Sequence, residues 1–191
     1  IAISLIGLII TLPIILIVGV LILLIDGRPV IYRQLRVGGK RKLFTFIKFR
    51  TMLPHSISIA DNSQITRLGK ILRNTSLDEL PNLWNVLRGE MSIVGPRPLL
   101  IEYLEYYSLD EMRRHDVLPG ITGWAQVNGR NSISWDEKLM LDVWYVDNQS
   151  LVLDLRIILL TFQKVLNREG INQSEVFTME KLSEYRKNNN S

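Results

Sequence analysis

The chain has no cysteine, so disulfides and thiolate metal sites are excluded and the redox compartment is left open. Its two histidines, His55 and His115, are far apart in the sequence. They give no support to a histidine-centred triad or a zinc site, and both read as surface residues. Glycines 120, 123 and 129 match neither a phosphate loop nor a dinucleotide fingerprint. Trp84, Trp124, Trp135 and Trp144 read as core or interfacial packing rather than a base-stacking platform, so nucleic acid is not an expected partner. No repeat period or low-complexity block appears beyond the polar end "KNNNS", read as a frayed tail. The 191 residues suffice for one real core with a membrane segment beside it, but not for two large domains.

Charge is missing altogether from Ile1 to Ile25, and acidic residues are missing from Arg28 to Arg50, where eight Lys and Arg fall. The net charge of +4 is therefore concentrated, and the remainder of the chain is slightly acidic. A basic run beside an apolar segment points to an anionic lipid surface. At about 1.5 Å per helical residue the first 25 residues reach across a hydrocarbon core of roughly 30 Å. With no basic region ahead of the segment and no small-residue cleavage pattern behind it, a cleaved secretory signal is disfavoured. The basic run after the segment sets that end, and the rest of the chain beyond it, on the cytoplasmic side. Pro13 lies at the centre, where it removes one backbone hydrogen bond and crowds the carbonyl four residues back. A kinked helix can still span; a sharper break makes a helix that enters and leaves by one face. Residue pattern alone favours the spanning form.

Further along, "VIYRQLRV" and "KLFTFIKFRT" flank "GGK" as a hairpin, with Phe44, Phe46, Lys48 and Arg50 on one face of the second strand. Aromatic stems with basic tips suit phosphate or headgroups; an edge strand with solvated lysines is the plainer alternative. In "QITRLGKILRNTS", Ile65, Leu68 and Leu72 form a helical stripe directed to a core. "EYLEYYSLDEMRRHDVL" reads as one amphipathic helix, "PGITGWAQVNGRN" as a glycine-rich loop, and "SWDEKLMLDVWYV" as a further helix. "SLVLDLRIILLTFQKVL" is nearly apolar but carries Asp154, Arg156 and Lys164, which makes it a buried or interfacial helix rather than a second span. The fold class expected is mainly α with a small β-hairpin, a membrane-associated α+β arrangement.

Ser76 and Glu79 have capping-box spacing, so a helix should begin in "SLDELPNLWNVL". Asp78 and Glu79 then have two readings. They complement a helix dipole, or they sit among arginines as a site for a phosphorylated substrate held with Mg²⁺. The metal prefers carboxylate and phosphate oxygens, and arginine pairs bidentately with phosphate. An aspartate can also attack phosphorus and carry the phosphoryl group covalently.

Four stretches together carry a resemblance: "KFRTM" (Lys48 to Met52), "TSLDELPNLWNVLRGEMSIVGPRP" (Thr75 to Pro98), "LPGITGWAQVNGRN" (Leu118 to Asn131) and "LDVWYVDNQSLVLDLRIILLT" (Leu141 to Thr161). In this order they resemble the bacterial sugar transferase domain of the monotopic phosphoglycosyl transferases, over nearly the whole chain from the apolar segment to about Thr161. Each motif alone is weak; four in register are specific. The resemblance implies transfer of a sugar-1-phosphate from a UDP-sugar to undecaprenyl phosphate, with UMP released, as the first membrane step of glycoconjugate synthesis. It implies Asp78 as nucleophile through a phosphosugar-aspartyl intermediate and Glu79 as its partner, both at the Mg²⁺ site, with Lys48, Arg73, Arg97 and Arg130 around the diphosphate and nucleotide. It also implies that Pro13 breaks a re-entrant helix, with interfacial amphipathic helices at the cytoplasmic face of the bacterial inner membrane. A serine commonly precedes that proline; here Leu12 does, with Thr11 one residue earlier and able to bond a freed carbonyl. The corresponding division is residues 1–25 as membrane helix, 26–170 as catalytic domain and 171–191 as tail, similar to the family's minimal catalytic domain. A membrane-anchored basic adaptor that binds anionic lipid without catalysis is the alternative. The sugar and the oligomeric state stay open.

Overall fold

The computed structural model describes residues 2–53, 65–129, 133–167 and 180–189. The order is α1 (Ala2–Ile25), β1 (Ile31–Val37), β2 (Leu43–Phe49), α2 (Arg67–Asn74), a 3-10 helix (Leu77–Asn82), α3 (Leu83–Leu87), β3 (Ser92–Val94), 3-10 helices at Ile101–Tyr106 and Glu111–His115, β4 (Gly120–Thr122), α4 (Trp124–Asn128), α5 (Trp135–Asn148), α6 (Leu151–Leu166) and α7 (Leu182–Asn189). This is a mainly helical chain with one small antiparallel hairpin, β1–β2, as the pattern of the sequence predicts. It forms two compact units: Ile1–Gln34 with Thr45–Gly89, and Leu35–Phe44 with Glu90–Ser191.

In the first unit α1 presents a narrow stripe to protein and the rest of its surface to the surroundings. Ser4, Val18 and Ile22 are buried. Leu83 comes within 4.0 Å of a Cβ built on Gly7, and Val30 and Phe49 within 3.8 and 3.9 Å of one built on Gly19. Ile9, Ile10, Leu16, Ile17, Leu24 and Ile25 are between 61% and 77% exposed, an apolar surface that water does not tolerate at this extent. Among the described residues, this is the one helix long and apolar enough to cross a membrane. Its helical backbone runs on through Pro13, so the proline removes one hydrogen bond inside the helix without ending it. The carbonyl it leaves is that of Ile9; the Thr11 hydroxyl donates instead to the Gly7 carbonyl at 2.7 Å, which corrects the partner expected for it.

Beneath α1, Val18, Ile22, Phe49 and Leu72 form a core, with Ile15, Val30, Ile31, Leu68 and Leu77 against it. Leu68 and Leu72 are thus core residues, as their spacing predicts. Helix α2 starts where the Thr66 side chain accepts from the Gly69 amide at 2.8 Å, and the Thr66 hydroxyl donates to Asp26 Oδ2 at 2.8 Å. Gly69 is required by contact: a Cβ there would lie 2.1 Å from the Thr51 carbonyl oxygen.

Arg50 departs from expectation. It is 6% exposed and donates from Nε to Pro29 O at 2.7 Å, and from Nη2 to Asp26 O and Gly27 O at 2.6 and 2.8 Å. It clamps the turn after α1 and presents no tip to headgroups. Phe44 and Phe46 are buried as well, so this strand face is structural.

In the second unit β3 and β4 pair in parallel, Ser92 with Gly120 and Val94 with Thr122. The glycine-rich stretch is therefore a strand followed by a short helix, not a loop. Val94, Val127, Tyr145 and Ile157 make one core; Leu99, Tyr103, Trp135, Leu139 and Leu182 make another. Leu182 comes from α7 and is fully buried, so a helix docks within the stretch read as tail. The single amphipathic helix expected over 102–118 is two 3-10 segments instead. The interruption has a local cause: Ser108 N donates to Glu111 Oε2 at 2.7 Å, and Glu111 N to Ser108 Oγ at 3.2 Å, a reciprocal cap that restarts the chain.

Candidate functional site

The acidic pair is held by the junction between α2 and the 3-10 helix. Thr75 N donates to Ile71 O and Ser76 N to Arg73 O, closing the end of α2. Ser76 then turns with φ 56°, ψ 15°, and its side chain makes no capping bond. The capping box predicted from Ser76 and Glu79 is therefore not formed. An N-cap residue needs an extended backbone, and Ser76 has already been placed in the left-handed region as the residue that ends α2. A serine at positive φ costs of order 1 kcal/mol, held in place here two residues before Asp78.

Asp78 and Glu79 lie in the first turn of the 3-10 helix. Asp78 is 6% exposed and Glu79 half-buried. Dipole compensation needs no burial, so the position of Asp78 exceeds what a cap requires. Arg73, in the last turn of α2, donates from Nε to Thr51 Oγ1 at 2.9 Å. Burial pushes its guanidinium below the ordinary value, and the Asp78 carboxylate opposes that shift. Arg73 stays charged, within electrostatic reach of Asp78. Lys48 on β2 belongs to the same unit, half-buried, with Nζ 5.7 Å from the centre of the Tyr32 ring.

Arg97 lies in the second unit, half-buried in the Pro96–Pro98 segment after β3. Its carbonyl accepts from Arg114 Nη2 at 2.7 Å. Arg114 in turn holds Asp142, with Nη2 and Nε at 2.7 and 3.1 Å from Oδ2, in an ion pair whose side chains are 1% and 3% exposed. Burial alone would lower Arg114, but the Asp142 charge and hydrogen bonds outweigh it. Arg130 lies outside the described residues, as does His55. His115 is buried, not at the surface: burial, then Arg114 and Arg41, push it down to about 3. It is neutral at physiological pH and serves no acid–base role there.

Among the described residues no group of three or more histidine and carboxylate side chains could hold a metal. Two adjacent carboxylates still match what Mg²⁺ takes from a protein, since it keeps waters and accepts phosphate oxygens for the rest of its octahedron. The buried Arg114–Asp142 pair was not legible in the sequence. Its members are 28 residues apart, and no periodicity links their elements.

Residues 1–168 match the family model described as bacterial sugar transferase. The chain belongs to the bacterial sugar transferase family. It is 52% identical over 161 residues to the uncharacterized sugar transferase EpsL of Bacillus subtilis (strain 168), covering 82% of this chain and 80% of that protein. It is 40% identical over 166 residues to the undecaprenyl-phosphate galactose phosphotransferase of Salmonella typhimurium, covering 76% of this chain and 35% of the relative. To the UDP-glucose:undecaprenyl-phosphate glucose-1-phosphate transferase of Xanthomonas campestris it is 40% identical over 172 residues, covering 82% and 36%. The chain thus spans about a third of the longer sugar transferases and most of the length of EpsL. In bacterial sugar transferase terms the match takes in α1, the first unit, the second unit as far as residue 168, the acidic pair and all the arginines singled out above.

Proposed function

We propose that this sugar transferase moves a sugar-1-phosphate from a UDP-sugar to undecaprenyl phosphate at the cytoplasmic membrane face, with Asp78 as the nucleophile. The observation that carries the reading is a buried carboxylate, Asp78, within electrostatic reach of Arg73 on an element packed against an apolar helix. In the first step an Asp78 oxygen attacks the sugar-bearing phosphorus, the bond from that phosphorus to the bridging oxygen breaks, and UMP leaves with the bridging oxygen. In the second, an oxygen of undecaprenyl phosphate attacks the same phosphorus and frees the Asp78 carboxylate. Arg73 and Lys48, in the same unit as Asp78, bind the phosphate oxygens. Mg²⁺, held by Asp78 and Glu79, would supply charge neutralisation on the diphosphate.

The packing of α1 supports a monotopic arrangement over simple spanning. Gly7 meets Leu83 and Gly19 meets Val30 and Phe49, sites about 18 Å apart along the helix at 1.5 Å per residue. A helix standing upright in the bilayer would carry α3 and the adjoining acidic segment deep into hydrocarbon. An inclined or re-entrant α1 leaves the acidic pair at the boundary, where a soluble nucleotide sugar and a lipid phosphate can meet.

Asp78→Asn should leave the protein folded and membrane-bound while cutting UMP release from UDP-sugars by at least about 10³-fold. Near-normal release by the folded variant would reject the reading. The lipid-adaptor alternative predicts no UMP release by the unaltered protein with any UDP-sugar; the occupation of Arg50 by backbone carbonyls already removes one cation from such a lipid-binding face.

A further inference from the structure

The family match ends at residue 168; α7 lies beyond it and is nevertheless built into the second unit. Leu182 is fully buried against Leu99, Tyr103, Trp135 and Leu139. Just ahead of the helix the Glu180 carbonyl accepts from Trp135 Nε1 at 2.9 Å, and the Trp135 ring meets Tyr103 edge to face with centres 5.4 Å apart. Arg186 forks between two carboxylates: Nη1 donates to Asp136 Oδ1 at 2.7 Å, and Nη2 donates to Glu111 Oε1. The second oxygen of each acid is used as well, Asp136 Oδ2 by the Tyr185 hydroxyl and Glu111 Oε2 by the Ser108 amide. All these partners of α7 lie between Leu99 and Glu111 or at the start of α5. The segment gripped in this way begins two residues after Arg97. Its carbonyls are held from within the same unit: Arg97 O by Arg114 Nη2 at 2.7 Å, Pro98 O by Arg36 Nη1 at 3.4 Å and Leu99 O by the Val37 amide at 3.5 Å. The last two bonds are long and weak, so the Leu99 side chain, packed with Leu182, is the firmer hold on that end.

We infer that α7 is a strap whose docking sets the position of the Arg97 segment, with Leu182 and Arg186 as positioning residues for the binding of a nucleoside diphosphate. The inference rests on the transferase reading for the class of ligand and on the role that the resemblance gives Arg97. Pro96 and Pro98 fix φ on either side of Arg97, so a shift of Leu99 is carried back to Arg97 instead of being absorbed between them. A guanidinium fork binds phosphate through two aligned donors, and a displacement of about 1 Å is enough to spoil such a contact. The strap itself is short. One buried leucine, one ion-pair fork and two further hydrogen bonds hold its eight residues, so it can open locally while the cores on either side of it stay closed.

The experiment uses the full chain in lipid nanodiscs, with UDP as the calorimetric probe and amide hydrogen exchange as the report on the strap. Leu182→Ala should speed exchange over 182–189 and 101–106 while leaving α1 and α6 at the parent rate. UDP affinity should fall about tenfold, roughly what one charged hydrogen bond to a phosphate contributes, while kcat at saturating UDP-sugar stays within about twofold. Leu182→Met, which keeps the volume, should restore both readouts. Arg186→Ala leaves the apolar cluster intact and should weaken UDP binding in the same direction by about threefold, because its partners are partly exposed; it carries the test if Leu182→Ala does not fold. Arg113→Ala, which removes an exposed ion pair with Asp110 and Asp147 elsewhere on the unit, should change neither readout. Faster exchange of α7 with parental UDP affinity overturns the inference, as does tighter UDP binding, which would make α7 a cover instead of a support. A loss of kcat in proportion to unfolded protein, with UDP affinity of the folded fraction unchanged, overturns it too. Failure of the transferase reading shows separately, as absence of UMP release by the unaltered protein, and UDP affinity still decides the strap in that event; no UDP binding by the unaltered protein ends the inference.

Discussion

Arg114→Met leaves the Asp142 carboxylate without its partner in a site where that side chain is 3% exposed. Removing one member of a buried pair costs about 3–5 kcal/mol, because an uncompensated charge remains. Against a total stability of about 5–15 kcal/mol that is a large fraction, and for a chain of this length it lowers the unfolding midpoint by roughly 6–20 °C. Replacing both members, Arg114→Met with Asp142→Leu, removes the charge as well as the partner and should return to within about 1 kcal/mol of the parent. The pH dependence provides a second check. Burial already raises Asp142 above its ordinary value even with Arg114 present, and without Arg114 the shift grows. A carboxyl with a folded-state pKa above the unfolded value of about 3.9 contributes its stability below that value and loses it as pH rises through the folded pKa. The single variant should therefore recover towards pH 4, and the double variant should not. Thermal unfolding followed by circular dichroism in nanodiscs measures all of this. A loss under 1 kcal/mol in the single variant, or a double variant no better than the single one, would refute the argument.

Ser76→Gly should stabilise the fold by about 0.5–1 kcal/mol, since glycine adopts the φ of 56° without a Cβ penalty; Ser76→Val should cost more than that, and denaturant midpoints decide the matter. His115 predicts an acid limb of stability. Its folded pKa of about 3 lies below its unfolded value, so the neutral form is favoured by folding, and stability falls by up to about 1.4 kcal/mol per pH unit as pH drops below about 6.5. His115→Gln should flatten that limb, and an unchanged acid limb would show that other groups cause it.

The four letters Ser-Leu-Asp-Glu occur twice, at 76–79 and at 108–111, and a third Ser-x-x-Glu stands at 134–137. Ser134 has an extended backbone and forms the full capping box with Glu137; Ser108 and Glu111 exchange the same bonds. Ser76 does neither. Its amide is committed to Arg73 O, because α2 ends there with Leu72 already anchored in the core. Local spacing was therefore a sufficient signal where nothing upstream competed, and it failed where a packed helix terminated one residue earlier. At 102–118 the same signal was present in the sequence and outweighed by the apolar periodicity around it. Arg50 and His115 went unread for a different reason. Their surroundings are backbone carbonyls and charges supplied by segments distant in sequence.

Composition and pattern alone determined that an uncharged 25-residue stretch precedes a basic run, that α2, α5 and α6 are helices, and that acids 78 and 79 stand among arginines, since these follow from local periodicity and residue chemistry. Only the tertiary structure decided that Asp78 is buried, that Arg50 is spent on carbonyls, and that Arg114 and Asp142 form a buried ion pair. The physical reason is common to all three: burial and charge depend on neighbours brought together by packing, and the linear order of a chain does not contain those distances.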